Sequence, residues 1–211
     1  MRYLIVFAFI CLIRNIFSQA VDIDAEYFNQ GINYSMGLKV NNFMTANSSK
    51  MSNFNSAIDA FKTVVNKYPD SKYADASQKE IAFLYFEFRD YSNAVIEFNK
   101  VCLNYPESIF ADDACFQIGY IYYIQMNYES AKNKFLETIQ TYENKSIAGQ
   151  KDRVPFAYIR LAEMYEKLGL KDKAVETYNL LIQKYPEHNQ AKIAKIRIKQ
   201  VRGKINRPKR Q

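Results

Sequence analysis

Four times along the chain a small apolar position is followed one turn later by an aromatic ring and eleven residues later by a tyrosine. The sets are Ala57, Phe61 and Tyr68; Ala94, Phe98 and Tyr105; Ala131, Phe135 and Tyr142; and Ala174, Tyr178 and Tyr185. Positions i and i+4 share a helix face, so each set predicts a helix whose alanine admits a neighbouring helix and whose ring fills the space beside it. Polar positions then break the pattern. Pro69, Pro106 and Pro186 follow three of the tyrosines, with Glu143 in the remaining place; proline cannot continue a helix because it lacks the N–H and clashes with the preceding turn. The segments YPDSKYAD at 68–75 and YPESIFAD at 105–112 therefore begin new elements, with Asp70 and Ser71, and Glu107 and Ser108, suited to cap their free N–H groups. The alanines are 37, 37 and 43 residues apart, room for two helices of about 14 residues and two turns in each unit. The expectation is an all-α chain of repeated helix hairpins.

At these residues the chain resembles the tetratricopeptide repeat family. Ahead of each alanine the family has a large residue, then Leu-Gly or a similar pair, then Tyr. The corresponding slots hold Ile81-Ala82 and Tyr85, Ile118-Gly119 and Tyr122, and Leu161-Ala162 and Tyr165. The likeness covers three units over 71–186, with Gly31 and Tyr34 fitting the opening helix of an earlier one that carries extra residues, including the polar ANSSKMSN stretch at 46–53. It implies a right-handed α-solenoid: an irregular N-terminal helix and loop over 21–56, repeats over 57–186, and a C-terminal capping helix. The 37-residue spacing and the Tyr-Pro-x-Ser wording are most similar to bacterial envelope repeat proteins, namely the Tol-Pal-associated periplasmic coordinator and the lipoprotein of the outer-membrane barrel assembly machine.

The chain's first twenty residues carry a different pattern. Arg2, the apolar run from Leu4 to Ile13, and Ser18 and Ala20 just ahead of Val21 have the layout of a secretory signal peptide over 1–20. Ten apolar residues are too few to cross a ~30 Å hydrocarbon layer as a helix. An uncleaved segment resting on a membrane is the alternative reading. Cys11 raises lipid attachment, against which stands the large Ile10 immediately before it. The other cysteines, Cys102 and Cys115, flank the turn at Pro106, and either pair as a disulfide or serve as small buried apolar residues. Their spacing does not suggest a metal site.

Charge divides the chain more sharply than its formal +7 implies. Residues 21–190 hold 18 basic and 22 acidic side chains, whereas 191–211 hold nine basic and no acidic ones. Ala191, Ala194, Ile198 and Val201 share a helix face, which predicts an amphipathic capping helix over 187–202. The run GKINRPKRQ over 203–211 lacks apolar content and is expected to be disordered. Lys199, Arg202, Lys204, Arg207, Lys209 and Arg210 form an electrostatic tail. It suits an acidic protein, an anionic membrane surface or nucleic acid, or simply keeps the chain's end solvated; a secreted protein does not meet nucleic acid.

Catalytic chemistry finds no foothold in the sequence. His188 is the sole histidine and follows Pro186 in a turn, the six glycines form no phosphate-binding loop, and Asp112-Asp113 falls at a helix start, where it complements the helix dipole. No cofactor is expected. The resemblance places a partner-binding groove on the first helix of each hairpin: Lys79, Phe83, Phe86 and Glu87; Phe116, Tyr120 and Tyr123; and Phe156, Ile159, Glu163 and Glu166. Phe116, Tyr120 and Tyr123 form one helical stripe, which either receives an apolar or aromatic peptide from an envelope protein or fills the interior. The implied function is a non-enzymatic periplasmic scaffold like the Tol-Pal coordinator. The alternatives are outer-membrane barrel assembly, with outer-membrane association, and an accessory subunit presenting an envelope enzyme.

Overall fold

The computed structural model describes residues 23–36, 38, 47–145 and 153–205, and every regular element among them is helical. Helix α1 covers residues 23–36, followed by α2 (Asn47–Lys67), α3 (Ala74–Glu87), α4 (Tyr91–Asn104), α5 (Ala111–Ile124), α6 (Tyr128–Tyr142), α7 (Val154–Lys167), α8 (Lys171–Lys184) and α9 (Asn189–Ile205). The signal-peptide and Cys11 readings, and the basic positions Arg207, Lys209 and Arg210, lie outside the described residues. The chain divides into two compact units, Met1–Glu97 and Phe98–Gln211.

The pattern of small and aromatic positions translates directly into burial. Ala57, Ala94, Ala131 and Ala174 are all fully buried, as are Phe61, Phe98, Phe135 and Tyr178. In the first unit Phe61 packs with Ile58, Ile81, Leu84 and Leu38, while Phe28 stacks on Tyr73 with ring centres 4.9 Å apart. A buried Gln78 donates to the Glu97 carboxylate at 2.7 Å, pairing two polar groups that would otherwise be stranded in that core. In the second unit one continuous core joins α5 through α9, from Phe135 and Ile139 through Leu161 and Met164 to Tyr178, Ile198 and Val201.

The two kinds of turn recur with fixed hydrogen bonds. Three first helices end at Phe88, Gln125 and Leu168, and the next residue, Arg89, Met126 or Gly169, has φ of 61°, 61° or 77°. Asp90, Asn127 and Leu170 then donate backward to the carbonyls of Tyr85, Tyr122 and Tyr165, closing a Schellman turn each time. The proline-containing turns run differently from expectation. Ser71 and Ser108 accept from Tyr73 N–H and Phe110 N–H inside the turn, and the helices behind them start without a side-chain cap. The hydroxyl thus shapes the turn, an ST-type bond, and the aspartate and glutamate beside it do not cap. His188 occupies the same slot in the last copy, its Nδ1 accepting from Gln190 N–H at 3.1 Å.

Two further differences have local causes, and one open alternative is decided. The polar stretch before Ala57 belongs to a helix from Asn47 onward, because α2 simply extends toward its N-terminus. Helix α9 runs through Gly203 to Ile205 instead of ending at 202, since glycine lowers helix propensity without forbidding helix. Cys102 and Cys115 do not sit as separate buried thiols: their Cα atoms lie 6.0 Å apart, within disulfide reach, and their sulfurs are joined.

Glu143, where the other copies have proline, ties three helices together. It caps α6, donating its N–H to Ile139, while its carboxylate accepts from Tyr158 Oη at 2.6 Å and from Lys184 Nζ at 2.7 Å. Burial works against its charge, but those two bonds and the lysine's charge prevail and hold the carboxyl below its ordinary value. Next to it, burial first and then the charges of Asp112, Glu137 and Glu107 push the Tyr142 phenol up to about 12.

Candidate functional site

Helices α5, α7 and α9 of the second unit enclose a polar pocket. Its volume is about 370 Å³, and it is lined by Tyr123 of α5, Arg160, Glu163, Glu166 and Lys167 of α7, and Arg197 of α9. Glu163 is the hub: one carboxylate oxygen takes Arg160 at 2.7 Å and the other takes Arg197 at 3.3 Å. Arg160 in turn spreads over two rings, 5.8 Å from the centre of Tyr120 and 5.4 Å from that of Tyr123, a cation–π arrangement. Glu166 accepts from the buried Tyr178 hydroxyl at 2.7 Å; burial, and then this carboxylate, raise that phenol well above its ordinary range. Glu166 is thus held from the core by Tyr178 and Glu163 from within the pocket wall by Arg160 and Arg197, so both carboxylates are already positioned.

The sequence-derived groove divides in this structure. Tyr123, Glu163 and Glu166 line the pocket, and Tyr120 lies under Arg160 beside it. Phe116 and Ile159 do not belong to a groove. Only 8% and 6% exposed, they are core residues, and Phe116 packs on Phe135 with ring centres 5.4 Å apart. A stripe along an exposed helix face turns inward at its N-terminal end because α5 packs more deeply there. Phe156 sits at the edge, against the His188 ring and beneath Arg153. The pocket is consequently charged over an aromatic floor, whereas the sequence reading had the groove receive an apolar or aromatic peptide.

Arg160, Lys167 and Arg197 were not anticipated. Arg160 and Glu163 have the i, i+3 spacing of a helix pair, a signal present in the sequence; the 34-residue separation of Arg197 from Glu163 offers none. The first unit holds a smaller counterpart of about 310 Å³, lined by Ser35, Lys79, Glu80, Phe83, Leu84 and Glu87. Lys79 pairs with Glu80 at 2.8 Å and lies 6.0 Å from the Phe83 ring centre. Phe86 leans instead on Tyr91. An apolar cleft of about 290 Å³ opens elsewhere in the second unit, with Leu136, Ile139, Leu161 and Leu180 among its walls. Among the described residues no cluster of His, Cys, Asp and Glu could hold a metal ion, and no helix is long and apolar enough to cross a membrane.

Residues 27–71 and 156–188 match the tetratricopeptide repeat family, the first stretch including most of α1. No curated protein matches the chain. Solved structures with the same fold include a tetratricopeptide repeat protein from Parabacteroides merdae ATCC 43184, at 11% identity and a TM-score of 0.60 over 87% of this chain. This chain spans 61% of that protein's length. MamA is similar at 17% identity and a TM-score of 0.54, over 87% of this chain and 86% of the other. MamA AMB-1 is similar at 12% identity and 0.52, over 87% and 83%. Identities this low show the fold alone. The chain has the all-α solenoid fold of tetratricopeptide repeat proteins, and it matches the repeat family itself over residues 27–71 and 156–188.

Proposed function

We propose that this protein is a non-enzymatic scaffold that holds a segment of a partner protein in the α5–α7–α9 pocket. The observation that carries the reading is Glu163, held from two sides by Arg160 and Arg197 at the wall of an open pocket floored by Tyr123. Preformed charge over a tyrosine floor favours a segment that presents an acidic side chain to Arg160, Lys167 and Arg197 and lays an apolar stem on the ring. Ordering costs are low because the site's own side chains are already fixed.

The envelope is the compartment this reading favours, with a role similar to that of the Tol-Pal coordinator. It is supported by the signal-peptide layout of residues 1–20 and by the Cys102–Cys115 pair, since disulfides persist in oxidising compartments. The test is affinity capture from the host's envelope fraction with the wild type and a Tyr123→Ser, Lys167→Glu variant, alongside circular-dichroism melts. A partner caught by the wild type and lost by an equally stable variant is the expected result. Equal capture by both removes the pocket from the function. Intact mass on protein from the native host checks the compartment: a mature N-terminus at Val21 is expected, whereas an intact leader in a cytosolic fraction overturns the envelope assignment.

A further inference from the structure

The cations of the second unit differ in how they are neutralised. Lys132, Lys134, Lys145, Arg153, Arg160, Lys184 and Arg197 each meet a carboxylate within ion-pair distance. Lys192, Lys195, Lys199 and Arg202 on α9 are exposed, and no carboxylate pairs with them among the described residues. Their spacing of three, four and three residues makes one row along the helix, about 15 Å long at 1.5 Å per residue. The adjacent face, Ala191, Ala194, Ile198 and Val201, one residue behind each cation and about 100° around the helix, is buried, so packing has fixed which way the row points. Beside it Ile193 and Ile196 stand 41% and 58% exposed, apolar side chains at the border of a basic stripe. No acidic residue occurs from 191 to the end of the sequence to offset this charge.

We propose that the outward face of α9 docks on an anionic lipid surface. The four exposed cations flank the outward face on which Ile196 stands, so a charge-dense headgroup layer laid on that face lies within reach of the whole row. The two isoleucines then enter the headgroup boundary, as the apolar residues of interfacial helices do. Juxtaposed basic residues attract an anionic leaflet additively, each contributing about fivefold in partitioning. This surface is separate from the α5–α7–α9 pocket, and neither reading depends on the other.

The experiment is vesicle co-sedimentation of the full chain. Vesicles of phosphatidylcholine alone are compared with vesicles containing phosphatidylglycerol, at about 0.1 M and about 1 M salt, where the screening length falls from about 10 to 3 Å. The expected result is binding to the phosphatidylglycerol vesicles only, released by high salt. A full-chain variant with Lys192, Lys195, Lys199 and Arg202 all changed to Gln is expected to lose more than 100-fold in partitioning, about fivefold for each cation removed, with an unchanged melt because all four side chains are exposed. Ile196→Ser is expected to weaken binding severalfold while leaving its salt dependence. Undiminished binding by the fourfold variant overturns the proposal. So does binding that disappears only when Arg207, Lys209 and Arg210 are changed to Gln. Salt-sensitive self-association in sedimentation velocity, lost in the fourfold variant and without vesicle binding, overturns it in favour of a second copy of the chain as occupant.

Discussion

Gly119 and Phe135 lie so close that a Cβ added to the glycine would meet the phenyl ring at 2.7 Å. The same relationship recurs in the first unit, where a Cβ on Gly31 would meet the Phe61 ring at 2.6 Å. Both rings are fully buried and have no free space into which to move. Gly119→Ala is therefore expected to lower stability by ~1–3 kcal/mol, the range for overpacking, despite alanine's better helix propensity. Gly203→Ala is the control, because nothing lies within 4 Å of that position, and propensity alone is expected to raise stability by up to ~1 kcal/mol. Thermal melts of the two variants check both signs. Destabilisation by Gly203→Ala would mean that α9 does not continue through that residue.

A second prediction concerns the turn after α5. Met126 has φ of 61° and is 74% exposed, so its side chain contributes little packing while its backbone sits in the left-handed region. Left-handed φ costs a residue with a Cβ about 1 kcal/mol or more, and glycine escapes that cost, as Gly169 does in the equivalent turn. Met126→Gly is expected to raise the unfolding free energy by ~1 kcal/mol, measured by urea denaturation. Gly169→Ala is expected to lower it by a similar amount.

The repeat was legible because the alanine, the aromatic and the tyrosine are demanded by packing, which leaves little choice of residue type at Ala131, Phe135 or Tyr142. Turn geometry was less legible. Arg89 and Met126 adopt positive φ without the glycine that would announce it, and His188 takes a turn position that serine occupies in two other copies. The pocket was half visible: Tyr123, Glu163 and Glu166 follow from their place on the opening helices, yet the arginines that define its charge do not. Arg197 reaches Glu163 only because α9 folds back onto α7, a tertiary relation that no local spacing encodes. Phe116 was misplaced for the opposite reason, since a helical stripe records direction around a helix but not depth.

Glu143 supplies a pH-dependent prediction. Its folded-state value lies below the ordinary 4.5, so its contribution is complete above that value and disappears as pH falls through the lower folded one. At pH 7, Glu143→Gln is expected to cost ~1 kcal/mol, the lower end for charge-assisted hydrogen bonds because Lys184 is half exposed to screening solvent. Below pH 4.5 the wild type progressively loses the same contribution, and the gap between the two proteins narrows. Denaturant melts at pH 7 and pH 3.5 measure it. A gap that widens on acidification would mean that the Tyr158 and Lys184 bonds do not stabilise the charged form.

The Cys102–Cys115 link joins the end of α4 to α5 across the Pro106 turn, closing a loop with a sequence separation of 13. Cross-linking a loop of about this length restricts the unfolded chain by roughly 3 kcal/mol. The surroundings allow the thiols to persist when reduced, since Cys102 Sγ lies 3.8 Å from the Ala111 carbonyl and Cys115 Sγ 3.6 Å from Tyr142 Oη. Reduction is accordingly expected to destabilise the fold without abolishing it, lowering the unfolding free energy by ~2–3 kcal/mol. A Cys102→Ala, Cys115→Ala variant is expected to melt near the reduced wild type and to ignore reductant altogether. Melts with and without a thiol reductant decide the energetics. Alkylation and mass measurement on protein from its native host decide whether the bond forms there, and two alkylated thiols in the native protein would remove the disulfide, and with it one of the two supports for an oxidising compartment.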